Sequence, residues 1–239
     1  MTVFNASQSI GDIVSIMPKA SEIFKEYNID FCCGGSRPLI EAIREQRLSE
    51  PEVLGKLDKA YEETREFAYK GDFRKMSPGE LIDYIVNTHH VFLKRNLPEL
   101  SELAAKILRV HGTNHSELFK VHRLFHNLKT ELEQHLIKEE EVLFPMIKEY
   151  DGHPSMELLD RINKVMKETE DEHETAGGVL KELGKVTGEY KVPEDGCRSF
   201  SLTYEKLREL EADLFQHIHL ENNILFKGPG INFNDVKGG

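Results

Sequence analysis

The chain has 239 residues, a formal net charge of −11, no tryptophan and three cysteines, enough length for one large domain or two modest ones. The acidic balance excludes nucleic acid as a partner, because phosphate binding depends on many Lys and Arg. No apolar run reaches the length of a membrane span, and "MTVFNASQSIGDIV" lacks the basic-then-apolar plan of a secretory signal. With too few cysteines for a disulfide scaffold, the expected setting is the reducing cytoplasm.

Helix signals recur from the start, and strand signals are almost absent. In "SIGDIVSIMPKASEIFKEYNI" an acid stands three residues after Ser9, as at a helix start, and Pro18 divides the stretch into two short helices. Next comes "NIDFCCGG" (28–35), which sets Cys32 beside Cys33 and follows them with two glycines. Ser36 then offers an N-cap, with Pro38 in the first turn of a third helix. A fourth helix is expected over roughly 50–69. "SPGELIDYIV" restarts the pattern, with Ser77 as cap, Pro78 at the first helical position and Glu80 three after the cap. These features place a domain boundary near residue 72. The first domain is 1–72, helical and bearing the Cys-Cys motif, and the second is 73–239.

The second domain reads as four long helical segments, roughly 78–110, 115–149, 155–187 and 196–227, with short turn-like connections. That is the plan of a four-helix bundle, so the expected fold is all-α throughout. Pro98 should kink the first long helix. All eleven histidines lie between His89 and His219, in the second domain only.

Core-facing positions of a bundle recur at alternating steps of three and four. The first helix gives Val86, His90, Leu93, Leu97, Leu100, Ala104 and Ile107. The second gives Leu118, Val121, Phe125, Leu128, Leu132, His135, Glu139, Val142 and Met146. The third gives Leu159, Ile162, Met166, Thr169, His173, Ala176, Leu180 and Leu183. The fourth gives Phe200, Thr203, Leu207, Leu210, Leu214, His217, Glu221 and Ile224. Each seam is apolar until His, or His with Glu four residues on, interrupts it. His89 belongs to a poorer seam that runs on to Asn96.

One histidine on an apolar seam is more often a satisfied core residue than a ligand. Polar residues on four seams are another matter. An uncompensated buried carboxylate costs several kcal/mol, and two of them would strain a folding margin of about 5–15 kcal/mol. Metal coordination removes that cost. Four imidazoles and two carboxylates exceed the needs of one ion, whereas two ions bridged by Glu139 and Glu221 would use them all. Nitrogen and oxygen donors without thiolate suit iron or manganese better than structural zinc, and iron fits a redox role.

These residues resemble the hemerythrin-like family and, more closely, the Repair of Iron Centres proteins. "DFCCGG", "HLIKEEEVLFPMIK", "EDEHETAG" and "HIHLENNILF" look like that family's motifs in its order. The resemblance implies a non-haem, carboxylate-bridged di-iron centre with His90, His135, Glu139, His173, His217 and Glu221 as ligands. It also implies a homodimer, nitric oxide or oxygen as small ligands, and damaged iron–sulfur proteins as partners. The family has a histidine where His111 stands. Here His111 follows His90 by 21 residues, roughly 31 Å of helix, which puts it outside a shared site. His115, His122, His126, His153 and His219 carry no such support.

The resemblance thus implies repair of iron–sulfur clusters damaged by nitric oxide or oxidants, with iron supplied from the labile centre. The alternatives are nitric oxide reduction at the same centre, which would make the protein an enzyme, and oxygen or nitric oxide binding and sensing. For Cys32 and Cys33 the expectation is thiol transfer or redox work. A helix start at Ser36 would lower their pKa, and Gly34 and Gly35 let the backbone turn there. Cys197, at the entry to the fourth helix, has no assigned role.

Overall fold

The computed structural model describes residues 3–64 and 73–228. The expected boundary at residue 72 and the expected helical stretch 65–69 lie outside the described residues. The described residues are helical, with a single isolated bridge pairing Ser9 and Pro38. They form two compact units, Met1–Leu81 with Phe215–Gly239, and Ile82–Leu214.

In the first unit α1 (Ile10–Ile16) starts at Ser9, whose Oγ accepts from the Asp12 N–H at 3.1 Å, as an N-cap should. Pro18 separates α1 from α2 (Ala20–Glu26). The third helix begins later than the sequence suggests. It is α3 (Leu39–Glu45), entered through an extended Pro38 and without a side-chain cap. The reason is a tertiary pairing: Ile10 N–H donates to Arg37 O and Leu39 N–H to Gln8 O, which holds Pro38 in extended backbone. α4 (Glu50–Thr64) packs on α2 and α3. Ile13, Val14, Phe24, Leu39, Val53 and Leu57 are buried. Ser77 and Glu80 make the expected reciprocal cap of α5 (Pro78–Ile85): Ser77 N–H donates to Glu80 Oε2 at 2.8 Å and Glu80 N–H to Ser77 Oγ at 3.3 Å.

The second unit holds the four-helix bundle. Its first arm joins α5 to α6 (Val91–His111) through a π-helical turn, Val86–His90. α6 runs through Pro98, whose side chain lies on the exposed face. The second arm is α7 (Glu117–Lys138), a π-helical turn Glu139–Leu143, and α8 (Phe144–Gly152). α9 (Met156–Val186) and α10 (Arg198–Asn223) as far as Leu214 complete it; from Phe215 on, α10 belongs to the first unit. α7 packs against α6 and α9. α10 is tied to α6 by Lys206, whose Nζ donates to Asn96 Oδ1 and pairs with Glu99.

The seams are buried largely as the periodicity predicts, with three shifts. Val142 is 43% exposed while Leu143 is buried. Each π turn adds one residue to a helical turn, so the core face moves from 142 to 143. The same effect makes Ile85, rather than Val86, the buried residue before His90. At the start of α9 the buried leucine is Leu158 instead of Leu159, where the Ser155 cap sets the first turn.

Candidate metal centre

Both π turns carry a candidate ligand. His90 closes the first and Glu139 opens the second, and π turns recur at functional sites because they re-aim side chains. The Glu139 carboxylate is fully buried among three imidazoles. Its Oε2 lies 3.4 Å from His90 Nε2, and its Oε1 lies 3.2 Å from His135 Nε2 and 3.9 Å from His173 Nε2. On the last turns of α10, His217 Nε2 stands 2.9 Å from Glu221 Oε1, and both side chains are buried. His90, His135, Glu139 and His173 thus make one candidate ligand group, in the second unit, where one potential ligand atom from each of His135, Glu139 and His173 lies within 4.8 Å of the others; His217 and Glu221 make another, in the first.

Carboxylates outside this cluster orient two of the rings. His90 Nδ1 is 2.8 Å from Glu140 Oε1, and His135 Nδ1 is 2.8 Å from Glu172 Oε2. A carboxylate only accepts, so Nδ1 carries the proton and Nε2 faces inward with its lone pair. His135 Nε2 and His173 Nε2 then approach to 3.1 Å. Two imidazole nitrogens so close, beside a buried carboxylate, suit a cation better than each other. The donors, nitrogen and oxygen without sulfur, fit iron or manganese. Lys94 Nζ donates to both Glu140 oxygens and Lys138 Nζ to Glu172 Oε1. The bond from His135, joined by Lys138 and opposed by partial burial, holds the Glu172 carboxyl down at about 2. Burial pushes Glu140 up, but the bonds from Lys94 and His90 outweigh it and leave it below the usual carboxylate range.

Glu140 and Glu172 escape a periodicity argument. Each sits next to a seam residue in "KEEE" and "EDEH" and reads there as part of a solvated face; adjacency to a ligand is the only hint. His89 is also buried, with Nδ1 2.9 Å from Asp213 Oδ1, outside both ligand groups. His111 is outside them too and sits 3.1 Å from Cys197 Sγ. His115 meets Asp195 and Glu117. His219, without support in the sequence, is fully buried in the first unit, and burial lowers its pKa to about 4.

The cysteine loop also belongs to the first unit. Asp30 Oδ1 accepts the N–H groups of Cys32, Cys33 and Gly34, each at 3.1 Å, and the Cys32 thiol at 3.3 Å. Cys32 is buried, Cys33 half-buried, and both are free thiols with their sulfurs 3.8 Å apart. The expected lowering of the thiol pKa is reversed at Cys32. The contact with Cys33, burial and the Asp30 charge all push it well up, and the helix start lies further on, at Leu39. Cys197 is the opposite case: exposed, its thiol drawn down to about 7 by the His111 contact and by N–H groups of Phe200 and Ser199.

No helix among the described residues is long and apolar enough to cross a membrane. Residues 6–61 match the profile of a domain of unknown function (DUF542), and residues 81–227 match that of the hemerythrin HHE cation-binding domain. A probable iron–sulfur cluster repair protein of Haemophilus influenzae is 36% identical over 221 residues, covering 92% of this chain and 96% of its own. The iron–sulfur cluster repair protein YtfE of an Enterobacter species is 35% identical over 219 residues, with coverage of 92% and 94%. ScdA of Staphylococcus epidermidis, named as an iron–sulfur cluster repair protein, is 29% identical over 219 residues, with coverage of 91% and 96%. Matched over most of its length, the chain belongs to the hemerythrin HHE cation-binding family, in the company of relatives named for iron–sulfur cluster repair.

Proposed function

We propose that the protein repairs iron–sulfur clusters damaged by nitric oxide or oxidants, drawing on iron held in the bundle. The observation that carries this reading is the fully buried Glu139 carboxylate amid the imidazoles of His90, His135 and His173, in a chain whose relatives bear the repair name. In this reading Glu139 and Glu221 would be shared by two irons, with His90 and His217 completing one set of ligands and His135 and His173 the other. Glu140 and Glu172 keep the Nε2 atoms of His90 and His135 aimed inward, and Lys94 and Lys138 balance the charge of those outer carboxylates. Nitrogen and carboxylate donors hold Fe(II) less firmly than a thiolate cage, so the centre supplies labile iron.

The chain divides in this proposal into a cysteine domain, 1–72, and a bundle, 73–239. Cys32 and Cys33 do the thiol transfer or redox work at the client. The resemblance that motivates the reading also brings a homodimer and nitric oxide or oxygen as small ligands, and the scarcity of cysteines suggests a cytoplasmic setting. Sedimentation of the purified protein tests the first of these.

The iron-loaded protein should restore activity to a cluster enzyme inactivated by nitric oxide, and Glu139→Leu or Glu221→Leu should abolish this. Equal repair by the iron-free protein would overturn the reading. Cys32→Ala combined with Cys33→Ala should leave iron content intact and impair repair.

A further inference from the structure

The end of α10 presents two rows of side chains. His217 and Glu221, four residues apart, make one row; Phe215, His219 and Asn223 make the other. A step of two residues turns a helix by about 200°, so the rows face opposite ways. The second row holds the cysteine loop. Phe215 meets Phe31 edge-on at 6.1 Å, the His219 ring lies 6.2 Å from Phe31, and His219 Nε2 lies 3.4 Å from Ser15 Oγ. Asn223 Nδ2 donates to Cys32 O at 2.8 Å and reaches Phe31 O at 3.3 Å. Lys227 Nζ donates to Asn223 Oδ1 at 3.1 Å, which fixes the amide so that its N–H groups face the loop.

Two glycines make room for this amide. A Cβ on Gly35 would fall 2.4 Å from Phe31 O and 2.7 Å from the Asn223 amide, and one on Gly11 would fall 2.9 Å from Asn223 Cγ. Gly11 N–H donates to Gly35 O at 2.7 Å, so backbone, amide and loop close on one another. Asn223 is also the last residue of α10. Helix ends open more readily than helix interiors, even where, as here, neighbours such as Leu225 and Phe226 are buried.

We propose that Asn223 is a positioning residue that ties the Cys32–Cys33 loop to the last turn of α10, so that metal held by His217 and Glu221 on one face restrains the thiols on the other. This rests on the reading of His217 and Glu221 as ligands. A cation on that pair clamps the two final turns, the clamped turn keeps Asn223 on the Cys32 carbonyl, and the loop stays closed. Without the cation the end frays, Asn223 withdraws, and the thiols open to solvent. The coupling is reciprocal, as any linkage between two sites must be.

The test uses the full chain under anaerobic conditions, loaded with Fe(II) or stripped by a chelator. N-ethylmaleimide modification is followed at each cysteine by mass spectrometry, with exposed Cys197 as the internal reference. Loading should slow modification of Cys33 by about fivefold or more, the lower range of ordinary coupling between sites. Asn223→Asp, which keeps the size but removes the amide donor, should bring the loaded-to-stripped ratio close to one at wild-type iron content. Gly35→Ala should do the same by expelling the amide. In the wild type, protein already modified at Cys32 and Cys33 should hold Fe(II) more weakly by a similar factor. A ratio of one in iron-loaded wild type, or an unchanged ratio in Asn223→Asp, overturns the inference alone. A protein that takes up no Fe(II) overturns it together with the metal reading, and metal analysis tells the two apart.

Discussion

The outer carboxylates offer the sharpest test of how the bundle holds its metal. Removing a carboxylate that orients a ligating histidine lowers metal affinity by about 10- to 100-fold, or about 1.4–2.8 kcal/mol. Where each residue falls in that range follows from its surroundings. The His90 side chain is fully buried and Glu140 is 28% exposed, whereas Glu172 beside His135 is 47% exposed. Once Glu172 is gone, water can reach the His135 Nδ1–H and take the bond. Water has poorer access to His90, so the lost Glu140 bond is less readily replaced there and the ring loses more of its aim. Glu140→Ala should therefore approach the 100-fold end and Glu172→Ala the tenfold end. Anaerobic competition for Fe(II) against a chromophoric chelator measures both. If Glu140→Ala changes affinity by less than about twofold, far below the expected loss, Glu140 does not set the orientation of His90. If Glu172→Ala has the larger effect, the argument from water access is wrong.

Fe(II) at about 100 times its dissociation constant should stabilise the fold by about 2.7 kcal/mol, raising Tm by roughly 5–11 °C for a chain of this size; a calorimetric scan of Glu221→Leu should show no such rise. Cys197 should be alkylated with a midpoint near pH 7, because its thiol is drawn down to about 7 from 9.0. The thiolate then grows as pH rises through that value, and His111→Ala, which removes the largest cause of the shift, should move the midpoint upward. Ser77→Ala, which removes the Oγ that accepts the Glu80 N–H, should cost about 1 kcal/mol by urea titration, without changing iron content.

The periodicity of the sequence was enough to bring His90, His135, Glu139, His173, His217 and Glu221 onto bundle seams, because a polar residue placed in a core must interrupt an apolar repeat. It failed where the backbone left the α period. In a regular helix Ile85 and His90, five residues apart, point about 140° away from each other. The π turn Val86–His90 narrows that angle, so His90 follows Ile85 into the core and Val86 is displaced. Glu139–Leu143 does the same to Val142 and Leu143, but only after His135 and Glu139 have been placed, so that pair is buried on the seam as expected and the residues beyond it are shifted. Ser36 and Pro38 were misjudged for a different reason: their local helix-start pattern yields to a pairing with residues 8–10. His219 and Asn223 lie two residues off the seam and would be solvated in an isolated bundle. Their partners, Ser15, Phe31 and Cys32, are about 190–200 residues away in sequence, a separation no local repeat can encode. The seam therefore reports the candidate ligands, while the second face of α10 becomes legible only when the chain returns its last turns to the cysteine loop.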